Sequence, residues 1–536
     1  MVIQLNLADA FAAWERGDAA TARQIVRTLL RKQPKLAGAH YLTGLLCLGD
    51  GEAGKAVQAL RLALTHGPDS PALRLALGRA YAMGGAQAQA EENFRTALTL
   101  VPGLPAALWS LSDLYFRSGR GADALPLLRD LTAARPEDAL AWERIGILQR
   151  QSGKLTEALD SFDTVIKLDP EQPRAWANRA AVLLDLGRTA EALADLAAAR
   201  ARHPDDAGLT RNHALALTRA GQAGAALPLY ASLLAETPDA GLSRDYAEAL
   251  IKAGRAADAQ TMLEALAATA LDDAATWFLL GEAARAAGQI DTARDAYRRT
   301  LALEAEDRLG AGPALALLGD TGPAALPAPY VKALFDEYAA RFDTELTETL
   351  QYRGPDLLRA LLDQHAPRPG LRLLDVGCGT GLSAIPFANI ASEIIGIDLS
   401  PAMLAQAAAR GLYREVIEGE AVATLAARPP ASADLILAAD VLVYLGDLAP
   451  FHAAAARVLG PGGRILASVE AHPDSDANFS LHDGFRYRHG ADALKRLLHA
   501  HSYRILALTP VTTRLNKGEP VPGLAYLAEV APEKPL

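Results

Sequence analysis

The residues best suited to chemistry are an acidic residue and three alternating glycines. Asp375 ends an apolar run, and Gly377, Gly379 and Gly381 follow it at alternate positions. Asp398 closes a second apolar run about one strand–helix–strand unit later. This layout is typical of a nucleotide-type cofactor site at the carboxyl ends of parallel strands. The sequence therefore predicts a cofactor-binding domain in the last third of the chain.

The glycine spacing argues against a dinucleotide cofactor. A dinucleotide fingerprint, G-x-G-x-x-G, places a pyrophosphate at the start of a helix, whereas the loop here is G-C-G-T-G. S-adenosyl-L-methionine has no phosphate, but it has a sulfonium, an ammonium, a carboxylate and a ribose diol. Asp375 suits the cationic methionine end, and an ionised Asp398 can accept both ribose hydroxyls. We therefore predict S-adenosyl-L-methionine as the cofactor.

Strands and helices alternate around this loop, which predicts a parallel sheet covered on both faces. The predicted strands are Leu371–Val376, Glu393–Asp398, Arg414–Ile417, Ala433–Ala439, Gly463–Val469, Tyr503–Leu508 and Leu524–Val530. The predicted helices are Leu382–Ala391, Pro401–Ala409, Leu448–Val458 and Ala491–Ala500.

Four motifs in this order resemble the class I S-adenosylmethionine-dependent methyltransferases. After the glycine loop, Ile397–Leu404 resembles that family's second motif, Ala433–Val441 its fourth strand, and Leu459–Arg464 the turn before its fifth strand. The resemblance covers about residues 330–530 and implies an α/β Rossmann-like domain with a mostly parallel seven-stranded sheet. It implies that Glu420 lies near the adenine amino group. The cofactor-binding residues are then Tyr338, Asp375, Gly377, Cys378, Gly379, Gly381, Asp398, Leu399, Glu420, Ala421 and Asp440.

An amphipathic segment at residues 330–343 precedes the first strand and carries Phe335, Tyr338 and Phe342. In the family such a helix covers the cofactor, and the alternative is that the aromatic stripe packs against the sheet. We expect Phe335 and Phe342 to lie in the core. For Tyr338 both interpretations stay open.

The acceptor is not predicted by a nucleophile motif, because displacement at a sulfonium needs a base only when the acceptor is protonated. Ala439–Tyr444 lacks the D/N-P-P-Y/F/W motif of nucleic-acid amino methyltransferases, and no carboxylate cluster suggests a metal. We expect the polar segment His472–Gly490 to form a loop that roofs the acceptor pocket, with His489 as catalytic base and Tyr487 as an orienting catalytic residue. Alternatively, His489 caps the helix that begins near Ala491.

The first three hundred residues repeat with a period of 34. Prolines recur at Pro34, Pro68, Pro102, Pro136, Pro170, Pro204 and Pro238, and glycines at Gly17, Gly51, Gly85, Gly119, Gly153, Gly187, Gly221, Gly254 and Gly288. Alanine follows each of these glycines five residues later. One helix–turn–helix pair per period explains the pattern, with glycine in the turn and the small alanine where the second helix packs closely.

This period resembles the tetratricopeptide repeat over about residues 3–305, in about nine units. The resemblance implies an all-α superhelical solenoid whose groove binds a protein or peptide. The alternative is an array that only supports the C-terminal domain. Asn178 and Asn212, which lie 34 residues apart, either bond a peptide backbone or are solvated polar residues. The order of repeats, helix and α/β fold resembles bacterial tetratricopeptide-repeat methyltransferases.

The predicted domains are a repeat array at residues 1–305, a Pro/Gly/Ala-rich linker at 306–329 and a methyltransferase domain at 330–536. The net charge of -10 argues against binding to nucleic acid, and no apolar run is long enough to span a membrane. Two cysteines far apart in sequence fit a reducing cytoplasm.

The predicted function is methyl transfer to an unidentified acceptor, with a protein or peptide bound by the repeats. The alternative is a non-catalytic scaffold or assembly factor that carries a cofactor-binding module. The acids Asp375, Asp398 and Glu420 favour the enzyme, because a degenerate site is expected to lose some of them.

Overall fold

The computed structural model describes residues 6–482, 484–516 and 518–532. The outer ends of the first and last predicted domains lie outside these residues. The chain folds into two compact units, residues 1–182 and 183–536. The division falls inside the repeats, so the second unit contains the later repeats together with the α/β domain.

Within the described residues, eighteen helices follow one another in nine consecutive pairs. In chain order they are α1 (Leu7–Glu15), α2 (Ala19–Lys32), α3 (Ala37–Gly49), α4 (Ala53–His66), α5 (Pro71–Met83), α6 (Gln87–Leu100), α7 (Pro105–Arg117), α8 (Gly121–Ala134), α9 (Ala139–Gln151), α10 (Leu155–Leu168), α11 (Pro173–Asp185), α12 (Thr189–Arg202), α13 (Ala207–Arg219), α14 (Ala223–Glu236), α15 (Ala240–Lys252), α16 (Ala256–Thr269), α17 (Ala274–Ala286) and α18 (Ile290–Leu303). The predicted helix pair per period is confirmed.

Glycine in the first helix of a pair makes room for a large side chain of the second helix. A Cβ added at Gly78 would lie 2.4 Å from the ring of Phe94, and one added at Gly281 would lie 2.5 Å from the ring of Tyr297. Both rings are buried. The same spacing of sixteen residues joins Gly44 to Leu60. The turn glycines of the period all have positive φ, between 73° and 83°, a conformation that glycine adopts without steric cost.

Polar side chains of the first unit form hydrogen bonds within the repeats. The indole of Trp142 donates to the carbonyl of Pro136 at 2.9 Å, which links a first helix to the turn before it. Asn178 donates to Glu143 Oε1 at 3.4 Å. Asn178 is therefore engaged by its own repeats, although its predicted contact with a peptide stays a prediction.

In the second unit, residues 306–329 contain a helix, α19 (Ala311–Leu317). Ala311, Ala314 and Leu315 are buried in one apolar cluster with Tyr297 of α18, and Phe485 of the α/β domain packs against this cluster. Ala325 pairs with Leu445 in an isolated antiparallel bridge. The segment predicted as a linker is therefore packed between the last repeat and the α/β domain.

The α/β domain contains nine strands within the described residues, in one sheet. They are β1 (Leu371–Val376), β2 (Ala391–Asp398), β3 (Glu415–Glu418), β4 (Leu435–Ala438), β5 (Arg464–Ala471), β6 (Ser480–His482), β7 (Arg486–His489), β8 (Tyr503–Asn516) and β9 (Glu519–Val530). The order is β3-β2-β1-β4-β5-β7-β6, and β9 pairs antiparallel with both β5 and β8. Strands β1 to β5 pair in parallel, and β5 also pairs in parallel with β7.

The helices of this domain are α20 (Ala328–Tyr338), α21 (Phe342–Thr344), α22 (Gly354–Asp363), α23 (Pro401–Ala409), α24 (Ala421–Ala427), α25 (Ala449–Leu459) and α26 (Ala491–Ala500). Alternate strand residues enter two separate buried clusters: Leu374 and Ile436 belong to one, and Leu373 and Leu435 to the other. Because successive side chains of a strand point to opposite faces, the sheet is buried on both faces. The predicted fold class, consecutive helices followed by a mostly parallel α/β domain, is confirmed.

Two predicted elements are wrong. The helix predicted at Leu382–Ala391 is replaced by turns and one 3-10 turn, Ile385–Phe387. Pro386 lacks an N–H, and the hydroxyl of Ser383 donates to Asp375, so neither residue supports a regular helix here. The segment His472–Gly490, predicted as a loop, contains the added strands β6 and β7.

Candidate functional site

A cavity of about 520 Å³ lies at the carboxyl ends of β1, β2 and β4, within the second unit. This volume is in the usual range for small-molecule sites. Nine of the eleven residues predicted to bind the cofactor line it: Tyr338, Gly377, Cys378, Gly379, Asp398, Leu399, Glu420, Ala421 and Asp440. Segments that are far apart in sequence therefore meet at one edge of the sheet.

The glycine loop leaves no room for a side chain at Gly377. Gly377 has a φ of 67°, and a Cβ there would lie 2.3 Å from Val441 Cγ2. Cys378 between the glycines is buried, and burial raises the pKa of its thiol. The loop therefore offers the cavity backbone groups and a neutral small side chain.

The carboxylate of Asp398 is fixed by two backbone groups. The N–H of Gly379 donates to Oδ2 at 2.8 Å, and the N–H of Ser400 donates to Oδ1 at 2.9 Å. Burial raises the pKa of Asp398, an effect that these backbone hydrogen bonds oppose. Because a carboxylate oxygen has two lone pairs, each oxygen can accept one further hydrogen bond from a ligand.

Asp375 lies beneath the loop and is not among the residues that line the cavity. It is fully buried, and its Oδ2 accepts hydrogen bonds from Ser383 Oγ at 2.6 Å and Tyr413 OH at 2.7 Å. Burial raises its pKa to about 6, although those two hydrogen bonds oppose the rise. Oδ1 is buried without a partner among the described residues. Gly381, which packs near Tyr413, is likewise not among the lining residues.

The aromatic segment that precedes the sheet covers part of the cavity. Phe335, Tyr338 and Phe342 all line it, so the expectation that Phe335 and Phe342 lie only in the core is wrong. The rings of Phe335 and Phe342 pack edge to face at 6.0 Å, as do those of Tyr338 and Phe342. Asp336 accepts a hydrogen bond from Ser400 Oγ at 2.6 Å, and Thr380 Oγ1 donates to Asp343 at 2.5 Å.

Glu420 begins α24. Its Oε2 accepts a hydrogen bond from the N–H of Ala423 at 2.7 Å, which caps the helix and fixes the side chain at the cavity wall. Ala421 and Leu399 supply apolar wall on the same side of the sheet. Each of these residues follows the strand that the sequence analysis placed before it.

Asp440 lies two residues after the end of β4 and adopts a φ of 58°, a conformation that non-glycine residues rarely adopt. Its N–H donates to Ser468 Oγ at 3.0 Å, and its Oδ1 accepts from Arg486 Nη2 at 2.6 Å. Burial raises the pKa of Asp440, against the opposing charges of Arg486 and Arg514. Strained backbone that is held in place by surrounding contacts is common at functional sites.

A buried glutamate joins these basic residues. Glu470 of β5 is 2% exposed. Its Oε1 accepts from Arg486 Nε at 2.5 Å and Arg514 Nη2 at 3.0 Å, and its Oε2 accepts from His482 Nε2 at 2.7 Å. Arg486 also donates to the hydroxyl of Tyr444 at 2.9 Å. Arg486, Arg514 and Tyr444 line the cavity.

The sequence analysis did not identify this cluster. Its members lie on β5, β6, β7 and β8, and no local spacing of residues links them. The sequence contains one signal of a buried charge, which is Glu470 near the end of the largely apolar strand β5.

The two predicted catalytic residues lie behind the wall of the cavity. Tyr487 is buried, and its hydroxyl donates to the carbonyl of Pro323 at 2.6 Å. His489 is also buried, and its Nε2 lies 3.1 Å from the carbonyl oxygen of Gly446. Burial lowers the pKa of His489 to about 4. Their catalytic roles stay predictions that this geometry does not favour.

Among the described residues, no helix combines the length and apolar character that crossing a membrane requires.

Family models match both halves of the chain. The family described as "Methyltransferase domain" matches residues 374–467. Three families described as "Tetratricopeptide repeat" match residues 7–71, 56–105 and 110–173, residues 149–210 and 217–282, and residues 275–304. These matches agree with the glycine loop and with the period of 34.

Curated relatives match the α/β domain. A ubiquinone biosynthesis O-methyltransferase of Burkholderia thailandensis is 34% identical over 111 residues, which is 20% of this chain and 48% of the relative. The same enzyme of Xylella fastidiosa is 34% identical over 111 residues, 20% of this chain and 45% of the relative. The chain thus spans about half the length of the curated relatives that it matches.

Solved structures are similar to each part at low identity. A tetratricopeptide repeat protein of Parabacteroides merdae is 18% identical with a TM-score of 0.39, covering 46% of this chain and 98% of that one. A SAM-dependent methyltransferase of Methanosarcina mazei is 20% identical with a TM-score of 0.28, covering 32% of this chain and 98% of that one.

Proposed function

We propose that this chain, which joins tetratricopeptide repeats to a methyltransferase domain, transfers a methyl group from S-adenosyl-L-methionine to an acceptor. The observation that carries the proposal is the convergence of nine predicted cofactor residues on one cavity. The identity of the chain to curated methyltransferases supports it further.

The residues of the cavity fit the cofactor. Asp398 has free lone pairs on both oxygens, which suits the two hydroxyls of a ribose. Glu420 is fixed through one oxygen, which leaves Oε1 for an adenine amino group. The glycines of the loop carry no side chains, which leaves space for the methionine part. When bound, the cofactor supplies an electrophilic methyl group on a sulfonium.

The chain's own residues would position the reactants and exclude water. Phe335, Tyr338 and Phe342 form an apolar cover, so charges beneath them are poorly screened by solvent. Asp440, oriented by Arg486, directs a carboxylate toward the cavity from the end of β4.

We propose that the repeats bind a protein or peptide, which is either the substrate or a partner. Repeats of this type contact mainly their sequence neighbours, so their surfaces stay available to ligands. Because the repeats and the methyltransferase domain share one chain, a substrate bound by the repeats has a raised effective concentration near the domain.

The second candidate function is a scaffold or assembly factor that binds the cofactor without turnover. The intact acids Asp398, Glu420 and Asp440 on the cavity favour the enzyme over the scaffold. A cell extract incubated with methyl-labelled S-adenosylmethionine and the full chain separates the two. Label transferred by the wild type but not by Asp398→Ala supports the enzyme. Cofactor binding without any transferred label supports the scaffold.

Removal of residues 1–182, the first compact unit, tests the role of the repeats. We expect KM for the physiological acceptor to rise strongly while cofactor affinity stays nearly unchanged. Equal KM values would refute delivery by that unit.

A further inference from the structure

Arg514 has hydrogen-bonding capacity that the protein leaves unused. Its Nη2 donates to Glu470, whereas its Nε is buried without a partner among the described residues. A buried donor without an acceptor costs on the order of 1–3 kcal/mol and calls for an explanation such as an absent ligand. Arg486 differs, because all three of its nitrogens donate, to Glu470, Tyr444 and Asp440.

The backbone directs Arg514 to the cavity. The register of β8 against β9 shifts between Thr512 and Leu515, which is the local irregularity of a β-bulge. Bulges often change the direction of a side chain next to a functional site. Two hydrogen bonds secure this stretch to the segment before β1: the N–H of Leu515 donates to Leu350, and the N–H of Arg353 donates to Thr513.

Arg514 lies on the side of the cavity away from Asp398, the predicted ribose contact. Asp398 ends β2, whereas Glu470, the partner of Arg514, lies near the end of β5. The order β2-β1-β4-β5 separates them by three strand spacings, roughly 14 Å at about 4.8 Å per strand. This is the side on which an acceptor would lie.

Arg514 shares Glu470, its carboxylate partner, with His482, Arg486 and Arg488. Asp440 and Glu470 balance Arg486 and Arg514, and Arg488 adds a further positive charge 3.9 Å from Glu470. The neighbouring wall is apolar and is formed by Leu326, Val331, Leu346, Leu350, Leu442 and Leu445. A buried carboxylate requires a paired cation, and guanidinium binds carboxylates with matched geometry.

We propose that Arg514 binds a carboxylate of the methyl acceptor, so that the part of the acceptor that enters this cavity is a small acid with an apolar body. This inference rests on the proposed function, because it assigns the half of the cavity that the cofactor leaves open. Arg514 is a specificity-determining residue in this account. Glu470 and the bulge position it.

The test is calorimetry on the full chain saturated with S-adenosylhomocysteine, with phenylacetate as probe and phenylacetamide as its neutral match. We expect the wild type to bind the acid at least about 10-fold more tightly than the amide, since a hydrogen bond to a charged group is worth about 1.5–3 kcal/mol. Arg514→Gln should remove this preference. Arg504→Gln, which changes an exposed arginine of the same strand, should keep it.

Circular dichroism of the same samples shows that each variant is folded, and cofactor affinity is measured separately. Equal binding of acid and amide by the wild type, or no saturable binding of the acid, would overturn the assignment without any variant. A loss of cofactor affinity above about 10-fold in a folded Arg514→Gln would assign the arginine to the cofactor's own carboxylate instead. Failure of the wild type to bind S-adenosylhomocysteine would instead refute the proposed function.

Discussion

Replacing Glu470 by glutamine should destabilise the methyltransferase domain by about 3 kcal/mol at neutral pH. Burial alone would raise the pKa of Glu470, but hydrogen bonds and charges from His482, Arg486 and Arg514 overcome burial and lower it to about 2. The ordinary value is about 4.3, and one pKa unit corresponds to about 1.36 kcal/mol. The magnitude agrees with the usual cost of breaking a buried ion pair, about 3–5 kcal/mol.

The effect should depend on pH in one direction. The pKa of Glu470 is lower in the folded than in the unfolded chain, so its contribution is fully present above about pH 4.3. It is lost as the pH falls through about 2. The stability difference between wild type and Glu470→Gln should therefore be constant near neutrality and shrink as the solution becomes more acidic than about pH 4.3.

Hydrogen exchange is the suitable assay. All five tryptophans lie at or before Trp277, so tryptophan fluorescence follows the repeats and not this domain. Amides of β5 should exchange about 150-fold faster in Glu470→Gln, since each 1.4 kcal/mol is a factor of about ten. Glu415→Gln, at an exposed position of β3, is the matched control. Wild-type exchange rates in Glu470→Gln at pH 7 would refute the role of the buried cluster.

Two further predictions concern the loop and the packing of the last repeat. Gly377→Ala should weaken S-adenosylmethionine binding by more than about 10-fold, because the new Cβ would lie 2.3 Å from a side chain. Gly370→Ala, also at positive φ but with open space around it, should bind normally in the same titration. A fragment of residues 324–536 should melt roughly 5 °C below one of residues 183–536, because it loses the apolar cluster against Phe485, worth about 2 kcal/mol. Equal melting temperatures in calorimetry would show that this cluster adds no stability.

Local sequence patterns were sufficient where short segments determine the structure. The period of 34 predicted the helix pairs, because the glycines that recur at this spacing occupy turns with positive φ. The apolar runs before Asp375 and Asp398 predicted β1 and β2, since buried parallel strands are continuous apolar segments. The positions of those acids at the strand ends then located the cavity.

Local sequence patterns did not predict contacts between residues that are far apart in the sequence. The sheet brings together Glu470 of β5, Arg486 of β7 and Arg514 of β8. Strand β5 pairs with both β7 and β9, and β8 pairs with β9. The periodicity of an apolar stretch also failed at residues 382–391, where a proline and a hydrogen bond to Asp375 favour turns. His489 was predicted as the catalytic base because the ordinary pKa of histidine is near neutral. Burial lowers that pKa, and no sequence pattern reports the burial of this residue.

Calorimetric titration of S-adenosylmethionine into the full chain and into Asp398→Ala tests the central claim most directly. The wild type should bind one cofactor, and the variant should bind it more weakly by about 1.5–3 kcal/mol, the range for hydrogen bonds to a charged group. Circular dichroism of the variant should match the wild type, since Asp398 lies at the end of β2 and outside the main apolar clusters. Equal affinity of the two proteins, or no binding by the wild type, would contradict the assignment of this cavity to the cofactor.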